Sequence, residues 1–173
     1  RGFLSINALW KNKIAVLVGD FLLAKGLLIS IESDQFRLLH ILSDTIRAMS
    51  EGELLQIEKA RRLDIKESIY FDIIQKKTAS LISSACQCGA VSVKASEDDI
   101  QKLKLIGEKV GIAFQIKDDL LDFGDSETGK PKGGDIKERK LTLPLIYTLN
   151  QANAETRKKI IYIVKNQNTD TEQ

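Results

Sequence analysis

Gly111-Ile-Ala-Phe-Gln115-Ile-Lys-Asp118-Asp119-Leu-Leu-Asp122-Phe123, running into the segment Gly124–Asp135 and on to Lys140 and Pro144, decides how this chain is read. Three acids interrupt Ile116 and Leu120-Leu121, which form the apolar framework of a helix. On that helix Asp118 and Asp122 are an i,i+4 pair on one face, and Asp119 is rotated about one residue away. Their charges repel, so the cluster is unfavourable unless a cation sits on it. Three carboxylates on two turns, followed by a Lys/Gly loop, suit the holding of a diphosphate through a divalent metal. Mg²⁺ fits that role, because it takes one or two carboxylates and fills the remaining octahedral positions with substrate phosphate and water.

Outward from this stretch the chain reads as almost entirely helical. Its two prolines both follow Lys130, and no bounded run of alternating β-branched residues marks a strand. The expected helices are Asn7–Ser30, Phe36–Ala60, Ile65–Gly89, Glu97–Phe123, Ile136–Gln151 and Glu155–Asn166, lengths that imply an all-α bundle of long antiparallel helices. Asp34 is expected to start the second helix, and Ser96 with Asp99 resembles a capping box in which Asp replaces the usual Glu or Gln. Breaks are expected at Leu63-Asp64, from Gly89 to Ser96, and above all over Gly124–Asp135. The sequence divides into a helical domain over 1–165 and a polar, disordered tail over 166–173.

Composition places the chain among soluble domains without specifying its chemistry. At 173 residues, 43% hydrophobic and 29% charged, it can bury a core. A net charge of +2 with acids matching bases along the whole length excludes a nucleic-acid footprint. The apolar stretches Ile14–Val18 and Phe21–Ile29 are interrupted by Gly19, Asp20, Lys25 and Gly26, so no membrane span is expected. Nothing resembles a signal peptide. Cys86 and Cys88 lie about 200° apart around a helix, which favours separate thiols over a disulfide or metal pair. His40 has no partner at zinc-ligand spacing.

Two other readings of the loop fail on chemistry. Gly124 to Lys130 fits G-x-x-x-x-G-K, but Pro131 stands where a P-loop needs Ser or Thr, Asp125 and Glu127 would repel phosphate, and a helix precedes it instead of a strand. Counting an EF-hand from Asp122 puts Gly124 at the third position and no glutamate at the twelfth.

The Gly111–Phe123 stretch resembles the second aspartate-rich motif of the trans-isoprenyl diphosphate synthases, the polyprenyl synthetase family. The run from Gly129-Lys130 through Gly133-Gly-Asp135 to Lys140-Leu-Thr-Leu-Pro144 resembles the segment that follows it. Arg1-Gly2 resembles the end of an Arg-Arg-Gly motif, Gly19-Asp20 a Gly-Asp motif and Lys77-Thr78-Ala79 a Lys-Thr motif, all in family order. The resemblance covers Arg1 to about Tyr147. Members carry a first D-D-x-x-D just before the Arg-Arg-Gly, and continue with helices beyond the point where this chain turns polar. The chain is therefore expected to be a piece of an isoprenoid synthase fold, truncated at both ends.

The resemblance implies a polyprenyl diphosphate synthase, a cytoplasmic, homodimeric prenyltransferase. It would ionise an allylic diphosphate and condense it with isopentenyl diphosphate under Mg²⁺ assistance, contacting membrane only peripherally, through its lipid product. Asp118, Asp119 and Asp122 would be the metal ligands. Lys77, Lys130 and Lys140 would be the catalytic cations, with Thr78 and Gln115 hydrogen-bonding diphosphate or orienting the site, and Arg1 holding the diphosphate of isopentenyl diphosphate. The isolated chain is expected to be inactive in elongation. The competing expectation is a catalytically incomplete subunit that pairs with a full synthase through Ile14–Ile29.

Overall fold

Helices account for every regular element among the residues that the computed structural model describes, 6–62, 66–123, 140 and 142–166. The chain forms two compact units, Arg1–Ser43 and Asp44–Gln173, and the boundary falls inside the second helix.

In the first unit, α1 spans Ile6–Glu32 and α2 begins at Phe36 and runs to Arg62. Asp34 does not start α2, as expected from sequence, but stops α1. Its φ of 54° is left-handed, and the Gln35 N–H reaches back to the Ser30 carbonyl at 2.8 Å, closing off carbonyls that the ending helix leaves free. Aspartate tolerates this conformation better than most residues. The segment Asn12–Glu32 has a mean hydropathy of 2.1 and is long and apolar enough, by length and composition alone, to cross a membrane. Gly19, Asp20, Lys25 and Gly26 therefore do not exclude a span on composition. Val16, Leu17, Phe21 and Leu22 are all more than half exposed.

Among the described residues, the second unit takes the rest of α2 and five further helices. α3 (Glu67–Ile74) passes into a π-turn over Gln75–Ala79 and then into α4 (Ser80–Ser92). Within the break expected from Gly89 to Ser96, the helix runs on past Gly89 to Ser92 and is ended by Lys94, whose φ is 55°. The Ala95 N–H bonds the Ala90 carbonyl at 3.1 Å across it. Gly89 sits within α4 and carries no turn.

α5 runs Glu97–Phe123, about 40 Å at the α-helical rise. Its start is the expected one, since the Asp99 N–H donates to Ser96 Oγ at 3.2 Å. The reciprocal arm differs from a capping box, because the Ser96 hydroxyl donates to the Asp99 carboxylate at 2.7 Å. α4 and α5 form an antiparallel pair joined by a short turn. Close approach is set by Gly107 and Gly111, i,i+4 neighbours facing α4 and the π-turn. A Cβ on Gly107 would stand 2.8 Å from Ser83 Cα, and one on Gly111 2.5 Å from Ala79 Cα.

α6 (Leu143–Gln151) begins later than the expected Ile136. Lys140 and Thr142 are non-helical, and Thr142 is extended at φ −79° and ψ 159°. Pro144 fixes this start, since it lacks an N–H and is tolerated in the first turn but not in the interior. α7 (Ala154–Asn166) is capped by Asn153, whose side-chain oxygen accepts the Thr156 N–H at 2.8 Å. Leu145, Leu149 and Val164 join α6 to α7. Tyr70, Ile74 and Ile146 form a second core, with Ile112 and Ile116 of α5 packed on it. That second core is the floor of the candidate site.

Candidate active site

Lys77 and Thr78 lie inside the π-turn. An i→i+5 turn inserts one residue into a helix and re-aims the side chains around it, a device frequent at functional sites. Lys76 and Lys77 consequently diverge. Lys76 pairs along its own helix with Asp72 at 3.1 Å. Lys77 crosses to α2, where Glu53 meets its ammonium at 2.5 Å and Gln56 at 3.2 Å. Gly52 permits this approach, because a Cβ there would stand 2.9 Å from the Lys77 backbone nitrogen.

A cavity of about 190 Å³ opens beside the turn. Lys77 and Thr78 line it from the π-turn, Gln115, Asp118 and Asp119 from α5, and Lys140 and Thr142 from the segment leading into α6. Tyr70 and Ile74 of α3 and Gln56 of α2 also line it. Six of the nine residues singled out from sequence thus meet in one place: Lys77, Thr78, Gln115, Asp118, Asp119 and Lys140. Asp122 is half-buried one turn further along α5 and does not line the cavity. Arg1 and Lys130 lie outside the described residues, as do the Gly124–Asp135 loop and the tail from 167 onward.

The aspartates do not form a three-carboxylate cluster; among the described residues no group of three or more His, Cys, Asp or Glu could hold a metal ion. Asp119 points inward, 4% exposed. The Tyr70 hydroxyl donates to its Oδ2 at 2.7 Å and the Gln115 amide to its Oδ1 at 2.9 Å. The Leu143 N–H approaches Oδ2 at 3.5 Å. Gln115 in turn accepts the Thr78 hydroxyl at 3.0 Å. Asp118 and Asp122 are i,i+4 neighbours on the adjoining face of α5.

Two contributors were missed from sequence. Tyr70 had no landmark near it, and only tertiary packing brings it to Asp119. Thr142 is 3% exposed, makes no side-chain cap to α6, and its Oγ1 has no hydrogen-bond partner among the described residues. A buried hydroxyl left so costs about 1–3 kcal/mol, which suits an atom that meets a ligand or water in the cavity. Its place in Lys140-Leu-Thr142-Leu-Pro144, directly before a helix-starting proline, was the available signal.

A polyprenyl synthetase profile matches residues 1–173. Component 2 of heptaprenyl diphosphate synthase from Geobacillus stearothermophilus is 39% identical over 152 residues, 87% of this chain and 48% of that protein. Octaprenyl diphosphate synthase of Escherichia coli strain K12 is 33% identical over 90% of this chain and 49% of its own length. Among solved structures, a decaprenyl diphosphate synthase from Rhodobacter capsulatus superposes with a TM-score of 0.89 at 38% identity, covering 99% of this chain and 53% of that one. A polyprenyl synthase from Caulobacter crescentus CB15, complexed with calcium and isoprenyl diphosphate, gives 0.87 at 33% identity, covering 99% and 52%. The chain spans about half the length of the relatives it matches. With the profile match over residues 1–173 and relatives at 33–39% identity, this chain belongs to the polyprenyl synthetase family.

Proposed function

We propose that the chain supplies the diphosphate- and metal-binding half of a trans-prenyltransferase that joins an allylic diphosphate to isopentenyl diphosphate. The observation that carries this reading is the convergence of Lys77, Lys140 and Asp118 on one cavity from three separate parts of the sequence. In the reaction, the bond between the allylic carbon and the diphosphate oxygen breaks and its electron pair leaves with the diphosphate. The isopentenyl double bond then forms the new carbon–carbon bond, and a proton is lost. Charge growing on the departing diphosphate is the main thing to stabilise, and fixed cations aimed at it do so without reorganising.

Lys77 and Lys140 are those cations, Lys130 is given the same role on its sequence motif alone, and the Thr142 hydroxyl is a further polar contact. Asp118 and Asp122 suit Mg²⁺, which would add its own positive charge to the diphosphate when bound. The relative from Caulobacter crescentus was solved in complex with calcium and isoprenyl diphosphate, which supports a divalent ion and a diphosphate as ligands. The pair Lys77–Glu53 keeps the ammonium on the wall until an anion competes for it. Exposed apolar residues on α1 support pairing with another chain, and a homodimer is the arrangement we favour.

Thermal unfolding tests the binding reading. Mg²⁺ and inorganic diphosphate together should raise the midpoint more than the sum of each alone, because each supplies ligands that the other needs. Asp118→Ala should remove that synergy. Equal responses in wild type and variant would contradict the role given to Asp118.

A further inference from the structure

We infer that Asp119 is a positioning residue and not a metal ligand: with Tyr70 it fixes the Gln115 amide, and through it the polarity of the Thr78 hydroxyl. The inference rests on the diphosphate reading above for its functional meaning, but its structural content stands alone. It begins with donors. Tyr70 Oη and Gln115 Nε2 address separate oxygens of Asp119, at 2.7 and 2.9 Å, and the Leu143 N–H points at one of them. A carboxylate receiving donors on both oxygens, 4% exposed in a wall, is already committed to protein.

The commitment propagates. A carboxylate only accepts, so the nitrogen of the Gln115 amide must face Asp119, and its oxygen must then face Thr78. That oxygen only accepts too. The single hydroxyl hydrogen of Thr78 is therefore spent on Gln115, at 3.0 Å, and the lone pairs of Thr78 are what the cavity receives. A diphosphate oxygen is itself an acceptor, so Thr78 in this state does not bond it. Thr78 instead takes a donor, such as a metal-bound water. The route runs through α3, α5 and the π-turn, and it gives Tyr70, through its bond to Asp119, a role in arranging the site.

The test uses the full chain with Mn²⁺ as an oxygen-preferring substitute for Mg²⁺ and inorganic diphosphate as ligand. Asp118→Asn, Asp119→Asn and Tyr70→Phe are compared by electron paramagnetic resonance of free Mn²⁺ and by the side-chain amide resonances of Gln115. Asp118→Asn should lower Mn²⁺ affinity about tenfold or more, the scale of a lost charged ligand. Tyr70→Phe and Asp119→Asn should leave it within about threefold of wild type while both shift the Gln115 resonances. Tyr70→Phe preserves the ring, so it carries the test even if Asp119→Asn folds poorly. Loss of Mn²⁺ affinity in Asp119→Asn equal to that in Asp118→Asn would overturn the inference, as would Gln115 resonances unmoved by Tyr70→Phe. If wild type binds no Mn²⁺ with diphosphate, the metal reading fails by itself, and the resonances still decide whether the relay exists.

Discussion

Replacing glycine by alanine should change the sign of its effect between two helices of this protein. At Gly111 the new Cβ would lie 2.5 Å from Ala79 Cα and 2.9 Å from Ala79 Cβ, whereas comfortable carbon contacts lie near 3.5–4.0 Å. About 1 Å of separation is needed, and the obstacle is backbone at the edge of the π-turn, which no side-chain rotation relieves. Overpacking of this kind costs roughly 1–3 kcal/mol, against a gain of about 1 kcal/mol from replacing glycine inside a helix. Gly89 lies in α4 with nothing within 4 Å of its would-be Cβ, so Gly89→Ala collects the gain alone. At about 2–4 °C per kcal/mol for a chain of this size, circular dichroism melts of the two variants should differ by roughly 2–12 °C, Gly89→Ala above wild type and Gly111→Ala below it. Since Ala79 adjoins Thr78, Gly111→Ala should also weaken diphosphate binding while Gly89→Ala leaves it alone. Two equal upward shifts would refute the packing account of the π-turn.

Ile146, 2% exposed against Tyr70 and Ile74, should lose about 2–5 kcal/mol of stability on truncation to alanine. Urea titration would show it, and a loss below 1 kcal/mol would mean that the second core is not under the site as described. Glu53→Gln releases Lys77 from a pair whose side chains are 35% and 46% exposed, so diphosphate affinity should rise by no more than about fivefold; a fall in calorimetry would instead make Glu53 part of the binding arrangement. Burial pushes the Cys88 thiol above its ordinary range, which lowers the thiolate fraction at any given pH. In a Cys86→Ser background Cys88 should alkylate more slowly than free cysteine at pH 8 and catch up as pH rises, and equal rates at pH 8 would contradict the burial.

The long helices were legible because apolar spacing continues over many turns, and α5 was read to its observed ends from Glu97 to Phe123. The Ser96 cap was legible for the same reason that caps work, a hydroxyl three residues before an amide it can accept. What failed was local and depended on competition between neighbours. Asp34 can cap a following helix or stop a preceding one, and only the backbone of α1 decides for the second. Gly89 has the composition of a stop, yet α4 continues past it because packing on α5 outweighs the propensity cost. The π-turn leaves no periodic signature, since it shifts the register by one residue over a single turn. Gly52 on α2 and Gly111 on α5 pack against it, and their closeness to it appears only in three dimensions. The acidic face was legible in part: helical spacing put Asp119 off the Asp118–Asp122 line, but nothing in the sequence showed that Tyr70 would meet it.

Lys77 and Lys140, brought to one cavity with Asp118, are proposed to hold a diphosphate through a divalent ion. Calorimetric titration of inorganic diphosphate into the full chain, with and without Mg²⁺, measures this directly, using Lys77→Met, Lys140→Met and Lys158→Met, the last on the exposed surface of α7. Binding should require Mg²⁺, fall roughly 10- to 100-fold in each of the first two variants, as expected for a lost charge-assisted contact, and be unchanged in the third. Binding that is indifferent to Mg²⁺, or that survives both cavity substitutions, would contradict the account.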